Sequence, residues 1–147
     1  MARSSRQLQP ISDVWEWQLL GRCRDRNGTQ FFHPDDDLGR ISRRLREAAA
    51  KRICGDCPVR AACTTHALRV GEEYGVWGGF SENDRLMLQN LGWEDTLDPR
   101  SRLADIGRLE RRLARARARA RRERDERQHG VSDRESAMAG AGSRSGS

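Results

Sequence analysis

Apolar positions recur at helical spacing in several short segments, and the chain then passes into a long stretch where alanine and arginine alternate. Residues 1–11 are polar and are expected to be disordered. Ser12-Asp13 offers an N-cap, and Asp13 with Glu16 has capping-box spacing ahead of Trp15, Trp17, Leu19 and Leu20. A short helix ended by Gly21 follows from this, with Cys23 just beyond it. Residues 24–37 read as a loop containing Asn27-Gly28, Phe31-Phe32 and His33-Pro34. The spacing of Leu38, Ile41, Leu45, Ala48, Ala49 and Ile53 predicts a helix from about Leu38 to Ile53 with arginines on its other face.

After the break at Cys54-Gly55-Asp56-Cys57, Pro58 suits the first turn of a third helix running to about Val70. Val59, Ala62, Cys63, Ala67 and Val70 share one face of it, which turns Cys63 inward. Tyr74-Gly75-Val76-Trp77-Gly78-Gly79 reads as a turn. Ser81 and Asp84 cap a fourth helix carrying Leu86, Met87 and Leu88, which Gly92 closes. Asp98-Pro99 marks a boundary, and Leu103, Ile106, Leu109 and Leu113 form a thin apolar stripe beyond it. From about Gln128 the chain is rich in Ser, Gly and Ala and is expected to be disordered. The fold class is thus all-α. The organisation is a disordered 1–11, a helical domain over 12–93, an arginine-rich extension over 94–127 and a disordered 128–147.

Composition changes this picture in one respect. Charged residues are 34% of the 147 and the hydrophobic set only 35%, with a mean hydropathy of −0.90, so burial of apolar surface needs help from another source of stability. The net charge of +6 is concentrated. Residues 1–99 carry 14 basic and 15 acidic side chains, whereas residues 100–127 carry 12 arginines and 5 acids. A localised arginine block is the footprint of contact with a polyanion such as nucleic acid. No apolar run reaches the roughly 18 residues of a membrane span, and Met1–Gln7 lacks the apolar stretch of a secretory signal. The chain is therefore expected in the cytoplasm, where cysteines read as metal ligands or redox groups rather than structural disulfides.

The cysteines are spaced Cys23-x30-Cys54-x2-Cys57-x5-Cys63. Cys54 and Cys57 flank a helix-to-helix turn, Cys63 follows within two turns of helix, and Cys23 closes a long loop. Ligation of one centre would supply folding free energy that a small polar domain lacks. Structural zinc takes four thiolates but usually from two short knuckles, and only one is present. An iron–sulfur cluster also takes four thiolates and tolerates irregular spacing. A Cys54/Cys57 dithiol needs no metal but leaves Cys23 and Cys63 without a role. Spacing leaves these three open. His33 and His66 are bystanders to such a site, Trp15 and Trp17 are core or covering residues, and Asp35-Asp36-Asp37 is a solvated loop and helix cap.

Cys23, Phe31-Phe32-His33-Pro34, Arg46-Glu47-Ala48-Ala49-Ala50-Lys51, Cys54-x2-Cys57-Pro58-Val59-x3-Cys63 and Tyr74-Gly75-Val76-Trp77-Gly78-Gly79 occur in that order. Over about residues 13–92 the chain resembles the WhiB-like (Wbl) regulators of actinobacteria, and its Gly21-Arg22-Cys23-Arg24 and Ser81-Glu82 segments look closest to the WhiD-type branch. The resemblance implies a [4Fe–4S] cluster on Cys23, Cys54, Cys57 and Cys63, sensitive to oxygen and nitric oxide. Loss of such a cluster would leave four thiols, with Cys54 and Cys57 the readiest to form a disulfide.

It also implies docking onto region 4 of the principal sigma factor within RNA polymerase holoenzyme, through Trp77 in its Gly75-Val76-Trp77-Gly78-Gly79 turn and through Phe31 and Phe32. A monomer before it meets sigma and a DNA contact beyond the last helix complete the expectation. Here the tail departs from the family, because no Arg-Gly-Arg-Pro hook is present. Arg111, Arg112, Arg115, Arg117, Arg119, Arg121 and Arg122 stand in its place, suited to phosphate contact at promoter DNA rather than base readout. The competing functions are a protein disulfide reductase using Cys54/Cys57, for which no βαβ pattern is visible, and a structural-zinc DNA-binding module. Of these the non-catalytic regulator is favoured.

Overall fold

The computed structural model describes residues 15–26, 28–32 and 39–142, and among them are four α-helices and no strand longer than an isolated bridge. These are α1 (Gly39–Gly55), α2 (Arg60–Val70), α3 (Glu82–Asn90) and α4 (Ile106–Ala141). The chain divides into two compact units, 1–109 and 110–147.

Of the first predicted helix the described residues hold its later part: Trp15 is α-helical and Glu16–Leu20 form a 3-10 helix with no side-chain cap, ended by Gly21. Ser12 and Asp13, the expected cap, lie outside the described residues. A second 3-10 turn, Gly28–Gln30, precedes Phe31, whose carbonyl accepts the Val76 amide at 2.8 Å.

α1 packs by a face other than the one its apolar rhythm suggests. Ile41 and Leu45 are 77% and 66% exposed, while Ala50 and Cys54 are buried against Phe31 and Val76, with Ile53 alongside. Positions 43, 47, 50, 51 and 54 share a face at helical spacing. That face docks through charge: Arg43 pairs with Glu82 at 3.0 Å and Lys51 with the buried Asp84 at 2.8 Å. The small side chain of Ala50 lets the backbones approach, and the ion pairs complete the contact. The helix also runs two residues past Ile53, so Cys54 sits in its last turn rather than in the break.

α2 begins at Arg60, and its buried residues are Thr64, Thr65, Ala67 and Leu68, while Val70 is exposed. Thr65 explains how a polar residue faces inward. Its hydroxyl donates to the Ala61 carbonyl at 2.7 Å and accepts the Ala104 amide at 2.8 Å. α3 carries the expected cap in full. The Asp84 amide donates to Ser81 Oγ at 3.3 Å, and the Ser81 amide donates to Asp84 Oδ2 at 2.9 Å. Of the three apolar residues expected to matter in α3, Leu88 is fully buried and Leu86 is exposed.

Residues 94–109 pack with the first unit, although in the sequence they read as part of the basic extension. Trp93 opens a 3-10 turn, Trp93–Thr96, and is buried with Thr96. Asp98 then turns the chain by accepting the amides of Arg100 and Ser101 at 2.8 and 2.7 Å, so Asp98-Pro99 is an internal turn and not a linker. Asp105 begins α4 by accepting the Arg108 amide at 3.0 Å. The helix continues to Ala141, through residues 128–141, which composition reads as disordered. Alanine, arginine and glutamate are strong helix formers, and i,i+4 pairs such as Arg119–Glu123 at 3.2 Å support them.

Candidate metal centre

Four local structures deliver the four cysteines, none of which is in a disulfide. Cys23 lies in the turn after the first 3-10 helix, where its carbonyl accepts the Arg26 amide at 3.1 Å. Cys54 ends α1. Cys57 follows in a turn closed by its amide on the Cys54 carbonyl at 3.1 Å, and its own carbonyl accepts the Arg60 amide that opens α2. Cys63 comes one turn later, its amide bonded to the Val59 carbonyl at 2.9 Å.

All four line one cavity of about 260 Å³, whose remaining wall is largely Trp17, Phe31, Phe32, Ile53, Val76 and Trp77. This is far more room than a single ion fills. Among the described residues no group of three or more His, Cys, Asp or Glu is already closed up as the ligand set of a metal ion. The thiols stand around a space. Among the described residues its charged lining is Arg24 and Arg60, with no carboxylate.

The turn carrying Trp77 closes over this cavity. Trp77 and Phe80 exchange backbone hydrogen bonds at 3.0 and 2.9 Å around Gly78 and Gly79, whose φ of +57° and +85° make a two-residue type I′ turn. The Gly78 amide donates to Cys63 and the Gly79 amide to Cys54. Side chains have no room here, since a Cβ on Gly78 would fall 1.8 Å from Thr64 Oγ1.

Burial pushes the Cys54 thiol up to about 11 and the Cys63 thiol up to about 12, against the lowering effect of those two amides. Without a metal both are therefore neutral thiols near pH 7. A bound iron or zinc replaces the proton and favours the thiolate. Four thiols, amides aimed at two of them, two arginines and a wide apolar-walled space fit a polynuclear iron–sulfur centre, whose four thiolates leave it net negative.

Arg85 holds the stem of the same turn, a role to which no motif or spacing points. It is 2% exposed, and its guanidinium donates to the carbonyls of Glu72, Tyr74, Gly75 and Phe80 at 2.6 to 3.3 Å. Glu82 Oε1 adds a bond from the Gly75 amide at 2.9 Å.

Trp77 is half-buried. Its indole N–H donates to the Tyr74 carbonyl at 2.9 Å, and its ring meets Phe32 edge-on at 6.4 Å. Phe32 is 49% exposed, whereas Phe31 at 5% and Val76 at 6% are core residues, and Gly75, Gly78 and Gly79 are buried. Trp77 and Phe32 are thus the members of the predicted sigma-contact set that reach solvent.

Trp15 and Trp17 lie 4.8 and 5.7 Å from the His66 ring, which also lies 5.7 Å from Trp77. An aromatic cage around His66 joins Trp15 and Trp17 to Trp77, which is distant from them in sequence, and only the tertiary structure reveals it. His33 and Asp35-Asp36-Asp37 lie outside the described residues. Of the candidate DNA-contacting residues on α4, Arg111, Arg115, Arg117, Arg119, Arg121 and Arg122 are exposed and Arg112 is half-buried.

Residues 17–88 match the profile of a family described as transcription factor WhiB. The redox-responsive transcriptional regulator WhiB3 of Mycolicibacterium smegmatis is 51% identical over 83 residues, 56% of this chain and 85% of that one. The redox- and pH-responsive transcriptional regulator WhiB3 of Mycobacterium tuberculosis is 54% identical over 79 residues, 54% of this chain and 76% of that one. The transcriptional regulator WhiD of Streptomyces coelicolor is 51% identical over 85 residues, 58% of this chain and 75% of that one. The family match ends at residue 88, before α4 begins.

Proposed function

Because the chain belongs to the WhiB family of transcription factors, we propose that it regulates transcription in response to redox change at a [4Fe–4S] centre held by Cys23, Cys54, Cys57 and Cys63. The observation that carries this reading is that all four thiols line one cavity whose cover is the turn bearing Trp77. When bound, the cluster supplies iron that reacts with oxygen or nitric oxide. The chain's own residues do the rest. Gly78 and Gly79 present amides to two sulfurs, Phe31, Ile53 and Val76 give the pocket an apolar wall, and the half-buried Trp77 and exposed Phe32 form an aromatic edge at its mouth.

That edge is the proposed contact with region 4 of the principal sigma factor, since aromatic anchors on a rigid turn supply interface energy at little entropic cost. The arginines of α4 are the proposed contact with promoter phosphates. The dithiol-reductase alternative is disfavoured because Cys54 and Cys57 flank a helix-to-helix turn and not the strand-to-helix turn of thioredoxin-like oxidoreductases.

Anaerobic purification with assay of iron, sulfide and zinc tests the centre. About four irons and four sulfides per chain are expected for a cubane on four thiolates. One zinc without sulfide would leave the structural-zinc alternative. A Trp77→Ala chain that loads iron and sulfide normally should lose capture of sigma region 4. Deleting residues 110–147 should flatten the salt dependence of DNA binding by roughly 0.9 in slope for each phosphate that the arginines neutralise.

A further inference from the structure

Arg60 lines the cysteine cavity and grips the turn that covers it. It stands between Cys57 and Cys63 in sequence, opens α2 and lines the cysteine cavity. Its Nε donates to the Gly78 carbonyl at 2.7 Å, and its guanidinium lies over the Phe80 ring, 5.7 Å from the centroid. The guanidinium is also the nearest group to Gly79, 2.9 Å from where a Cβ there would lie. Arg60 thus grips the two-glycine turn by a carbonyl, a ring and close packing, on the peptide units whose amides face Cys63 and Cys54.

We propose that Arg60 is the positioning residue that couples the cysteine-bound centre to the Trp77 turn: it holds the Gly78 and Gly79 amides on the Cys63 and Cys54 sulfurs and places a positive charge in the cavity wall. The inference rests on the iron–sulfur reading and deepens it. Amide donors and a nearby cation both stabilise the more negative form of a thiolate-ligated centre. One-electron reduction adds one negative charge and breaks no bond to the protein, so Arg60 raises the midpoint potential. Linkage is reciprocal, and whatever clamps the turn must be felt at the sulfurs. Lysine keeps the charge but not the planar fork, whereas glutamine loses the charge.

The test is a redox titration of the full-length, cluster-loaded chain, with dithionite as reductant, beside Arg60→Gln and Arg60→Lys. At equal iron and sulfide content, Arg60→Gln should reduce the ratio of reduced to oxidised centre at fixed potential about tenfold, a fall of 59 mV for a one-electron couple. Arg60→Lys should recover most of that shift, which loss of packing alone would not allow. A loaded Arg60→Gln chain with the wild-type potential overturns the inference while leaving the cluster reading intact. Should Arg60→Gln not hold the cluster, resonance Raman of the wild-type chain in H2O and D2O decides. Iron–thiolate bands that shift on deuteration support the amide contacts, and bands that do not move overturn them. A wild-type chain that takes up no iron and sulfide overturns the cluster reading, and this inference with it.

Discussion

In the first unit the polar contacts that fix the fold join positions far apart in sequence, as Lys51 does with Asp84, Thr65 with Ala104 and Arg85 with the carbonyls of residues 72–80. In the second unit Arg119 and Glu123, Arg127 and Glu123, and His129 and Asp125 are each four residues apart, the spacing of one helical turn. One region is a network in which each side chain holds several segments at once. The other is a run of nearly independent turns. A substitution in the network should therefore act on the whole unit, and one in the helix should stay local.

The largest effect is expected from Gly78→Ala. A Cβ there would lie 1.8 Å from Thr64 Oγ1 and 3.0 Å from the Arg60 carbonyl oxygen, at a φ of +57°. Since backbone has to move, the destabilisation should be about 3 kcal/mol or more. Thermal melting followed by circular dichroism reads it, and a melting temperature within a few degrees of wild type would show that the turn is not a fixed cover.

Arg85→Leu comes next. It removes the donor for four carbonyls in a buried turn, and an apolar side chain cannot replace any of those bonds. A cost of about 3 kcal/mol is expected from orphaned acceptors of this kind. Arg85→Lys should recover little of it, because one ammonium cannot span the same set. Urea titration measures both, and a cost under about 1 kcal/mol for Arg85→Leu would make the clasp ornamental.

A smaller, pH-dependent effect separates the units again. In the chain stripped of metal and kept reduced, burial raises the Cys54 thiol to about 11 and the Cys63 thiol to about 12 from an ordinary 9.0. Above pH 9 the unfolded chain releases these protons first, so the folded state holds more protons and stability falls as pH rises. Melting temperature should be steady with respect to these groups below pH 9 and should decline from there towards pH 11 and 12. Cys54→Ala, Cys63→Ala double substitution should remove that part of the decline, and an unaltered alkaline limb would assign it to other groups.

Local signals are legible in the sequence and long-range ones are not. The Ser81/Asp84 box can be read because its partners are three residues apart, and the cysteine frame can be read because three of its members fall within ten residues. The docking face of α1 cannot. Ile41 and Leu45 set the visible apolar rhythm, but the face is chosen by Arg43 with Glu82 and Lys51 with Asp84, partners more than thirty residues away. Arg85 carries no signal because an arginine between Asp84 and Leu86 looks like any exposed helical charge. Residues 94–109 read in the sequence as part of the tail, and the Thr65–Ala104 and Arg69–Arg102 bonds and the burial of Ala104 and Leu109 reveal their allegiance.

The smallest effect, and the cleanest contrast with Gly78→Ala, is the same chemical change placed in α4. Gly130 lies inside that helix, and a Cβ on it would meet nothing within 4 Å. Glycine in a helix interior costs roughly 0.5–1 kcal/mol relative to alanine through the freedom its backbone loses on ordering. Gly130→Ala should therefore stabilise its own part of the helix by about that amount, raising ellipticity at 222 nm, and leave the melting of the first unit where it was. Glycine to alanine then has opposite signs at 78 and 130, because one glycine is required by packing and a left-handed turn and the other by neither. If Gly130→Ala instead lowered the melting temperature of the first unit, the helix would belong to the network, and the division of the molecule into a network and a local helix would fall.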